Sequence, residues 1–443
     1  MKEAIFSILF CLYAIGSLAQ TYPPTRSAVS ANVLAHLNKK EFSKVAPMFD
    51  SAMASKLDTA KLRLIWNGLL AQVGAFKKAG APSSRVMQDI EFMDQVCEFE
   101  KTALVFRLGY NLKGRICSFL FLPVEPKDNY VYPVYVMKEK YEEKDIVVKT
   151  GDYSLPGTLT TPIGVKNFPV VVLIHGSGPN GRDESIGAIK VFKDLACGLA
   201  SNGVAVIRFD KRTKVYGGKS CENIDSLTVK DEVTDDAASA IKLARTIENA
   251  DTTKIFLLGH SLGAMLMPRM ASEIKGLAGA IMMAGNARPL EEVYMEQIMY
   301  LANLDGKFTD EDRAQLEQVK FQIMKVKKLG APGYHPTAAE LPMGINAKYW
   351  YDLKNYKQVE VAKKLILPVL VLQGQRDYQV TMQDFSLWQN SLSTKPNFTF
   401  KSYPKLNHAF TEGDEAKSKP EEYEKQANVP EYVIKDILSF VKK

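Results

Sequence analysis

The sequence predicts an α/β protein, with a parallel sheet covered by helices on both faces and a smaller α+β domain ahead of it. Apolar runs of strand length recur at residues 170–174, 204–209, 255–258, 280–283 and 367–372, with helical stretches between most of them. Continuous apolar strands alternating with helices imply parallel strands buried on both sides. The segment before them has another texture, helical periodicity followed by alternating strands. The 443 residues also exceed what one hydrophobic core usually serves, so two folded domains are expected.

The chain opens on Met1, Lys2 and Glu3, followed by an apolar run over residues 4–15 and the stretch Gly16-Ser17-Leu18-Ala19. This is the pattern of a secretory signal peptide over residues 1–19, too short to span a bilayer. Cys11 follows Phe10, where lipid attachment would require a small residue, so no anchor is expected. The mature protein is expected in the periplasm or outside the cell, with no membrane association after cleavage.

Residues 20–125 are assigned to the N-terminal α+β domain. Val33, Leu34 and Leu37, then Val45, Met48 and Phe49, then Leu62, Ile65, Trp66, Leu69 and Leu70 recur at helical spacing. They predict two or three amphipathic helices between Ser27 and about Lys78. After Gly80-Ala81-Pro82, strands are predicted near residues 96–99, 103–108 and 116–122. The proline- and tyrosine-rich stretch 123–138 reads as a linker, and residues 137–443 as the second domain. Within it, residues 286–364 are mostly helical and interrupt the strand rhythm. An excursion of that size suits a cap over a site; a packing insertion without substrate contact is the alternative.

Composition is that of an ordinary globular protein, with 46% hydrophobic and 24% charged residues, which argues against disorder or a fibrous class. Net charge is +7, and because Lys2 and Glu3 cancel, loss of the leader leaves it unchanged. The basic residues are scattered, not clustered with aromatic platforms, so nucleic-acid binding is not expected. Cys97, Cys117, Cys197 and Cys221 lack the short paired spacings of a zinc site. Cys97 and Cys117 fall on the first and third strands of the predicted meander, too far apart to bridge. Cys197 with Cys221 is the candidate disulfide of an exported protein, with buried reduced thiols as the alternative.

The chemistry centres on Gly259-His260-Ser261-Leu262-Gly263, which follows a predicted strand and precedes a helical segment, the setting of a nucleophile elbow. Five histidines are present. His36 lies in the N-terminal domain, His260 adjoins the serine and should point elsewhere, and His335 lies in the cap, leaving His175 and His408 as general bases. His175 begins the turn His175-Gly176-Ser177-Gly178-Pro179, suited to backbone donors, whereas His408 fits the chain order serine, acid, histidine. Leu372-Gln373-Gly374-Gln375-Arg376-Asp377 supplies the acid Asp377 after the strand that follows the cap, with Asp384 as the fallback.

From about residue 141 the chain resembles bacterial α/β-hydrolase esterases. The resemblance rests on Leu155-Pro156-Gly157-Thr158-Leu159, the 175–179 turn with Arg182-Asp183-Glu184, Arg208-Phe209-Asp210-Lys211-Arg212, the elbow, Asp377 and His408. Residues Thr213 to Val215 depart from the glycine-rich turn relatives often carry. The N-terminal region is similar to a domain of unknown function often fused ahead of such hydrolases, on Phe42, Phe49-Asp50, Met53, Ile65-Trp66 and Phe76-Lys77-Lys78. The resemblance implies an α/β-hydrolase fold with a helical cap, preceded by a nuclear-transport-factor-like domain without catalytic residues. It implies an oxyanion hole from the backbone N–H of Leu262 and a second donor at Ser177 or Gly178.

The implied reaction is hydrolysis of a small-molecule ester, with Ser261 as nucleophile, His408 as base, Asp377 as orienting acid, and no metal or cofactor. A serine peptidase of the prolyl oligopeptidase kind is the main alternative, but the N-terminal domain is too short for a propeller and the elbow carries His260 where those enzymes carry an aromatic. Transfer to an acceptor other than water stays open. A non-enzymatic binding module would lack a triad member. The N-terminal domain is read as a homodimerising, glycan-binding or shielding element. Arg182, Asp183 and Glu184 and the 210–212 turn read as loop-stabilising ion pairs, and Tyr294, Met295, Met299 and Tyr300 as cap core.

Overall fold

The computed structural model describes residues 25–87, 90–124 and 130–443. The expected signal peptide over residues 1–19, with Cys11, lies outside the described residues. The chain forms two compact units that divide at residue 127.

In the first unit, side-chain caps start the helices. Thr25 accepts from the Ala28 amide ahead of Arg26–Asn38, Asp50 from Met53 ahead of Ser51–Lys56, and Asp58 from Lys61 ahead of Thr59–Val73. Five antiparallel strands follow: β1 (Phe76–Ala79), β2 (Ser83–Met87), β3 (Ile90–Phe99), β4 (Ala103–Tyr110) and β5 (Ile116–Pro123). Their order is β1-β3-β4-β5, with β2 also paired to β3. Leu37, Leu62 and Trp66 from the helices meet Phe106 and Leu108 from β4 in one core. Truncating Trp66 to alanine would cost about 3–5 kcal/mol. The helical prediction through Lys78 is corrected: Gly74, at φ +81°, ends the helix after Val73, and β1 is drawn into the sheet by pairing with β3.

The second unit holds an eight-stranded sheet. Its first members are β6 (Tyr141–Thr150), β7 (Tyr153–Pro162) and β8 (Phe168–Ile174), followed by a separate hairpin of β9 (Ser185–Ile186) and β10 (Ile189–Lys190). The sheet continues with β11 (Ala205–Phe209), β12 (Ala250–His260), β13 (Gly279–Met283), β14 (Val369–Gly374) and β15 (Phe398–Tyr403), in the order β15-β14-β13-β12-β8-β11-β7-β6. The strands from β15 to β11 run parallel, and β7 and β6 antiparallel. Alternate residues of β8 serve opposite faces. Val170 and Val172 pack toward Ala237, Ala240 and Ile241 of the helix Asp235–Ala244, and Val171 and Leu173 toward the helices Val191–Ala200 and Glu431–Val441. From β8 the chain moves first to β11 on one side and then to β12 on the other. That reversal opens a crevice at the carboxyl ends of the strands.

Between β13 and β14 the chain makes a helical excursion, with helices Leu290–Ala302, Asp310–Lys328, Ala347–Asn355 and Gln358–Ala362. The linker assignment over 123–138 is corrected for its second half. The Tyr130 hydroxyl donates to Asp194 at 2.6 Å, Tyr135 to the Val429 carbonyl at 2.7 Å, and the Met137 amide to Ser201 at 2.9 Å, so this stretch is packed into the second unit. Among the described residues, no helix is long and apolar enough to cross a membrane.

The candidate disulfide is also corrected, since Cys197 and Cys221 are free thiols, as are Cys97 and Cys117. Cys197 is buried beside Tyr141 and Ala200, whereas the Cys221 thiol donates to the Asn223 carbonyl at 3.0 Å. Burial pushes the thiols of Cys97 and Cys197 up to about 11, which makes them poor nucleophiles. In the native protein at pH 8, an alkylating reagent should therefore leave Cys97 and Cys197 unmodified. After denaturation without reductant, mass spectrometry should find label on all four; a pair that labels only after reduction would establish a bridge.

Candidate active site

β12 ends at His260, and the helix Leu262–Met265 begins directly after Ser261, which is held at φ +54° and ψ −117°. A non-glycine residue in that region is strained and persists only where its surroundings over-determine it. The two glycines of the elbow make it possible. A Cβ on Gly259 would fall 2.4 Å from the Gly263 carbonyl oxygen, and a Cβ on Gly263 would fall 2.4 Å from that of Ile174 at the end of β8. The Ser261 amide is satisfied by the Met283 carbonyl at 2.9 Å.

β14 delivers Asp377, buried and fully hydrogen-bonded. One carboxylate oxygen accepts the amides of Gln379 and Val380 at 2.7 and 3.0 Å. The other accepts from Gln373 Nε2 at 3.1 Å and lies 2.7 Å from His408 Nδ1. His408 sits in the turn after β15, which Asn407 closes by accepting from the Thr411 amide at 3.1 Å. Gly374 allows the two loops to touch, because a Cβ there would lie 2.4 Å from the Leu406 carbonyl. Ser261, His408 and Ser177 line a single cavity of about 190 Å³. The predicted residues are thus brought together, with Leu262 next to Ser261 at the start of its helix, where the N–H has no intrahelical acceptor.

The competing residues lie elsewhere. His175 is buried between the rings of Phe192 and Phe209, and burial pushes its pKa down to about 4, which keeps it neutral. Asp384 accepts from the amides of Ala287 and Arg288 at 2.9 Å and pairs with the Arg288 guanidinium, anchoring the start of the cap. The cap touches the cavity: Leu290, Val293 and Tyr294 line it, whereas Met299 is exposed and Tyr300 donates to the Ser418 carbonyl.

The 182–184 segment divides. Arg182 pairs with Asp210 at 2.9 Å and Asp183 with Arg208 at 2.8 Å, both ion pairs of the predicted kind. Glu184 instead reaches the site, where it accepts the Gly176 amide at 2.5 Å and lies 3.2 Å from His260 Nδ1, close enough for an ion pair though bent as a hydrogen bond. His260 Nε2 lies 2.8 Å from the His408 carbonyl oxygen. Burial alone would lower the His260 pKa, but Glu184 raises it overall; burial would raise that of Glu184, but His260 lowers it overall. The role of Glu184 is not predicted, because no local pattern announces its contact with the distant His260; that of Gln373, four residues before Asp377, is missed because a glutamine at the end of a buried strand carries no signal of its own.

This sheet order, with a serine on a strained elbow facing a buried acid–histidine pair, defines a serine hydrolase of the α/β-hydrolase fold. A family model described as serine aminopeptidase, S33, matches residues 166–415, more than half of the chain. A second, described as a protein of unknown function (DUF3887), matches residues 30–119. Esterase EstD of Thermotoga maritima is 37% identical over 410 residues, 92% of this chain and 93% of its own length. Est1E from Butyrivibrio proteoclasticus aligns with TM-score 0.43 and 17% identity over 68% of this chain and 99% of its own. Proline iminopeptidase from Mycobacterium smegmatis aligns with TM-score 0.42 and 17% identity over 68% and 98%. The chain belongs to the serine aminopeptidase, S33, family.

Two outcomes are expected. Gly374→Ala should push the His408 turn away from Asp377 and lower kcat on the order of 10²-fold, which steady-state kinetics would reveal; unchanged kcat would mean the loops need no such approach. The His260–Glu184 pair should stabilise the fold within a pH window. The raised His260 pKa contributes stability that is present below its unfolded value and lost as pH rises through the folded one. The lowered Glu184 pKa contributes stability lost as pH falls through its folded value. The difference in melting temperature between wild type and His260→Gln should therefore be largest in the mildly acidic window between the unfolded values of 4.5 for Glu184 and 6.5 for His260 and shrink on both sides, and a flat difference would count against the ion pair.

Proposed function

We propose that this protein hydrolyses carboxylic esters of small size through an acyl-enzyme, with Ser261 as nucleophile, His408 as general base and Asp377 as the acid that orients it. The observation that carries this reading is the 2.7 Å contact between Asp377 and the Nδ1 of His408, which lines the same cavity as Ser261. With Nδ1–H directed to the carboxylate, Nε2 is the basic nitrogen, the tautomer needed to take the Ser261 proton as Oγ bonds to the ester carbonyl carbon. The tetrahedral oxyanion is held by the N–H groups of Leu262 and Ser177. Its collapse breaks the bond to the alcohol oxygen, which leaves with the proton from His408, and water repeats the sequence on the acyl-enzyme.

Ester cleavage is favoured over aminopeptidase action by the charge of the cavity. A free α-ammonium group on a peptide needs an anionic partner, and the carboxylate lining the cavity, Glu184, is already engaged by His260 and the Gly176 amide. Apart from the serine hydroxyls and the imidazoles of His260 and His408, the remaining wall comes from uncharged residues such as Val293, Tyr294 and Gln297. The volume of about 190 Å³ suits a short acyl group.

We further propose export, with cleavage after Ala19, on the apolar leader, and a nuclear-transport-factor-like N-terminal domain, on helices packed against one antiparallel sheet. Homodimerisation through that domain is part of the same proposal, and a monomer mass in light scattering would remove it. The catalytic reading is tested on aryl esters of rising acyl length and on aminoacyl anilides. Ser261→Ala and His408→Ala should abolish ester turnover, and Asp377→Asn should keep the fold and lower kcat about 10⁴-fold. Mutants with undiminished turnover would refute the triad, and preference for anilides would move the assignment to a peptidase.

A further inference from the structure

Gly176 and Ser177 share one peptide unit, and the rest of the protein grips that unit at its carbonyl. Lys211 Nζ donates to the Gly176 carbonyl oxygen at 2.7 Å, and Asn180 Nδ2 makes a longer contact to the same oxygen at 3.4 Å. Lys211 is almost fully buried, 2% exposed, and pairs with Glu232 at 2.7 Å. Glu232 in turn accepts from the Tyr349 hydroxyl at 2.6 Å, on the cap helix Ala347–Asn355. Glu232 lies in a π-helical turn, Lys230–Thr234, a local irregularity often found at functional sites.

A buried lysine is costly to desolvate even when paired, and an apolar residue of similar volume would often serve stability as well. Its position suggests what it does. Every peptide bond described here is trans, so the Gly176 carbonyl and the Ser177 N–H point in opposite directions from one rigid plane. A cation on the carbonyl fixes the direction of that plane. It also draws electron density toward oxygen, which makes the N–H at the other end a stronger donor.

We propose that Lys211 is a positioning residue for the oxyanion hole, acting through the Gly176–Ser177 peptide, and that Glu232 and Tyr349 tie its ammonium group to the cap. This rests on the reading of Ser177 as an oxyanion donor. Lys211 touches no reacting atom; its effect is on the strength and aim of the Ser177 N–H. The contribution therefore appears where charge develops on the substrate oxygen, in the transition state and not in ground-state binding.

The test compares wild type with Lys211→Met, which keeps the length of the side chain and removes its charge, on a short-chain aryl ester and with a trifluoromethyl ketone that adds to Ser261 to form an oxyanion. The expected result is a folded variant with kcat lowered on the order of 10²-fold, KM within about threefold of wild type, and inhibitor affinity lowered by the same factor as kcat/KM. Unchanged kcat, or a lower kcat with inhibitor affinity intact, overturns the proposal. Should Lys211→Met not fold, Tyr349→Phe removes one hydroxyl from the chain of contacts. It should lower kcat and inhibitor affinity together by a few-fold, and unchanged values overturn the proposal. Ser261→Ala separates the two readings. If it is inactive while Lys211→Met behaves as wild type, only the role of Lys211 falls; if Ser261→Ala retains turnover, the hydrolytic reading falls with it.

Discussion

Ser261 can occupy the left-handed region of backbone space only because the strands on either side of its own press against it. Such strain costs on the order of 1–3 kcal/mol and survives where the surroundings leave no alternative. Here β12 lies between β8 and β13, the Ser261 amide is held by Met283, and Gly263 lies against the carbonyls that end β8. The same crowding recurs one layer out, where Gly374 meets the carbonyls of Leu406 and Asn407. Each glycine stands where the backbone of one loop must pass within contact of another. The order of strands then decides what assembles: β8 leads into the turn that holds Ser177, β12 into Ser261, β14 into Asp377, and the turn after β15 holds His408.

Around this backbone the protein buries two ion pairs, Glu184 with His260 and Lys211 with Glu232, that are bonded to the backbone of the site. Glu184 accepts the Gly176 amide, and His260 beside it lies against the His408 carbonyl. Lys211, paired with Glu232, donates to the Gly176 carbonyl. One glycine peptide chain is thus gripped on its N–H by a carboxylate and on its carbonyl by an ammonium group. Charges placed this way are poor contributors to stability, since desolvation offsets most of the Coulomb attraction. They are good at excluding alternative backbone orientations, because any other would leave a buried charge without its partner.

What the sequence revealed follows from what is local. The central strands β8, β11, β12, β13 and β14 are buried on both faces and so appear as uninterrupted apolar runs. β15 escaped because it is an edge strand, with Phe398 and Tyr403 buried but Thr399 and Lys401 facing water. β1 was absorbed into a helix because its lysines and alanine carry no strand pattern, and only pairing with β3 makes it a strand. Ser261 and Asp377 stood out by their place after a strand, and His408 by its order in the chain. Glu184 did not, because its partner His260 lies far along the sequence and the neighbours Arg182 and Asp183 do form the ion pairs their composition suggested. Fold class depends on periodicity and can be read locally; the network that positions a site depends on contacts between distant loops, and cannot.

The cap belongs to this network rather than standing over it. Arg288 at its entrance is bound to Asp384, which is fully buried, Gln297 donates to the Gln379 carbonyl at 2.9 Å, and Tyr349 donates to Glu232. Gln379 is also the residue whose amide binds Asp377. Swinging the cap outward would part Arg288 from Asp384, and losing one partner of a buried ion pair costs about 3–5 kcal/mol, while Glu232 would lose the Tyr349 hydroxyl and keep Lys211. A lid that must open at each turnover cannot carry such a cost cheaply, whereas a fixed wall can. Leu290, Val293 and Tyr294 therefore line the cavity beside Ser261 from a cap that is itself bound at Asp384, Gln379 and Glu232.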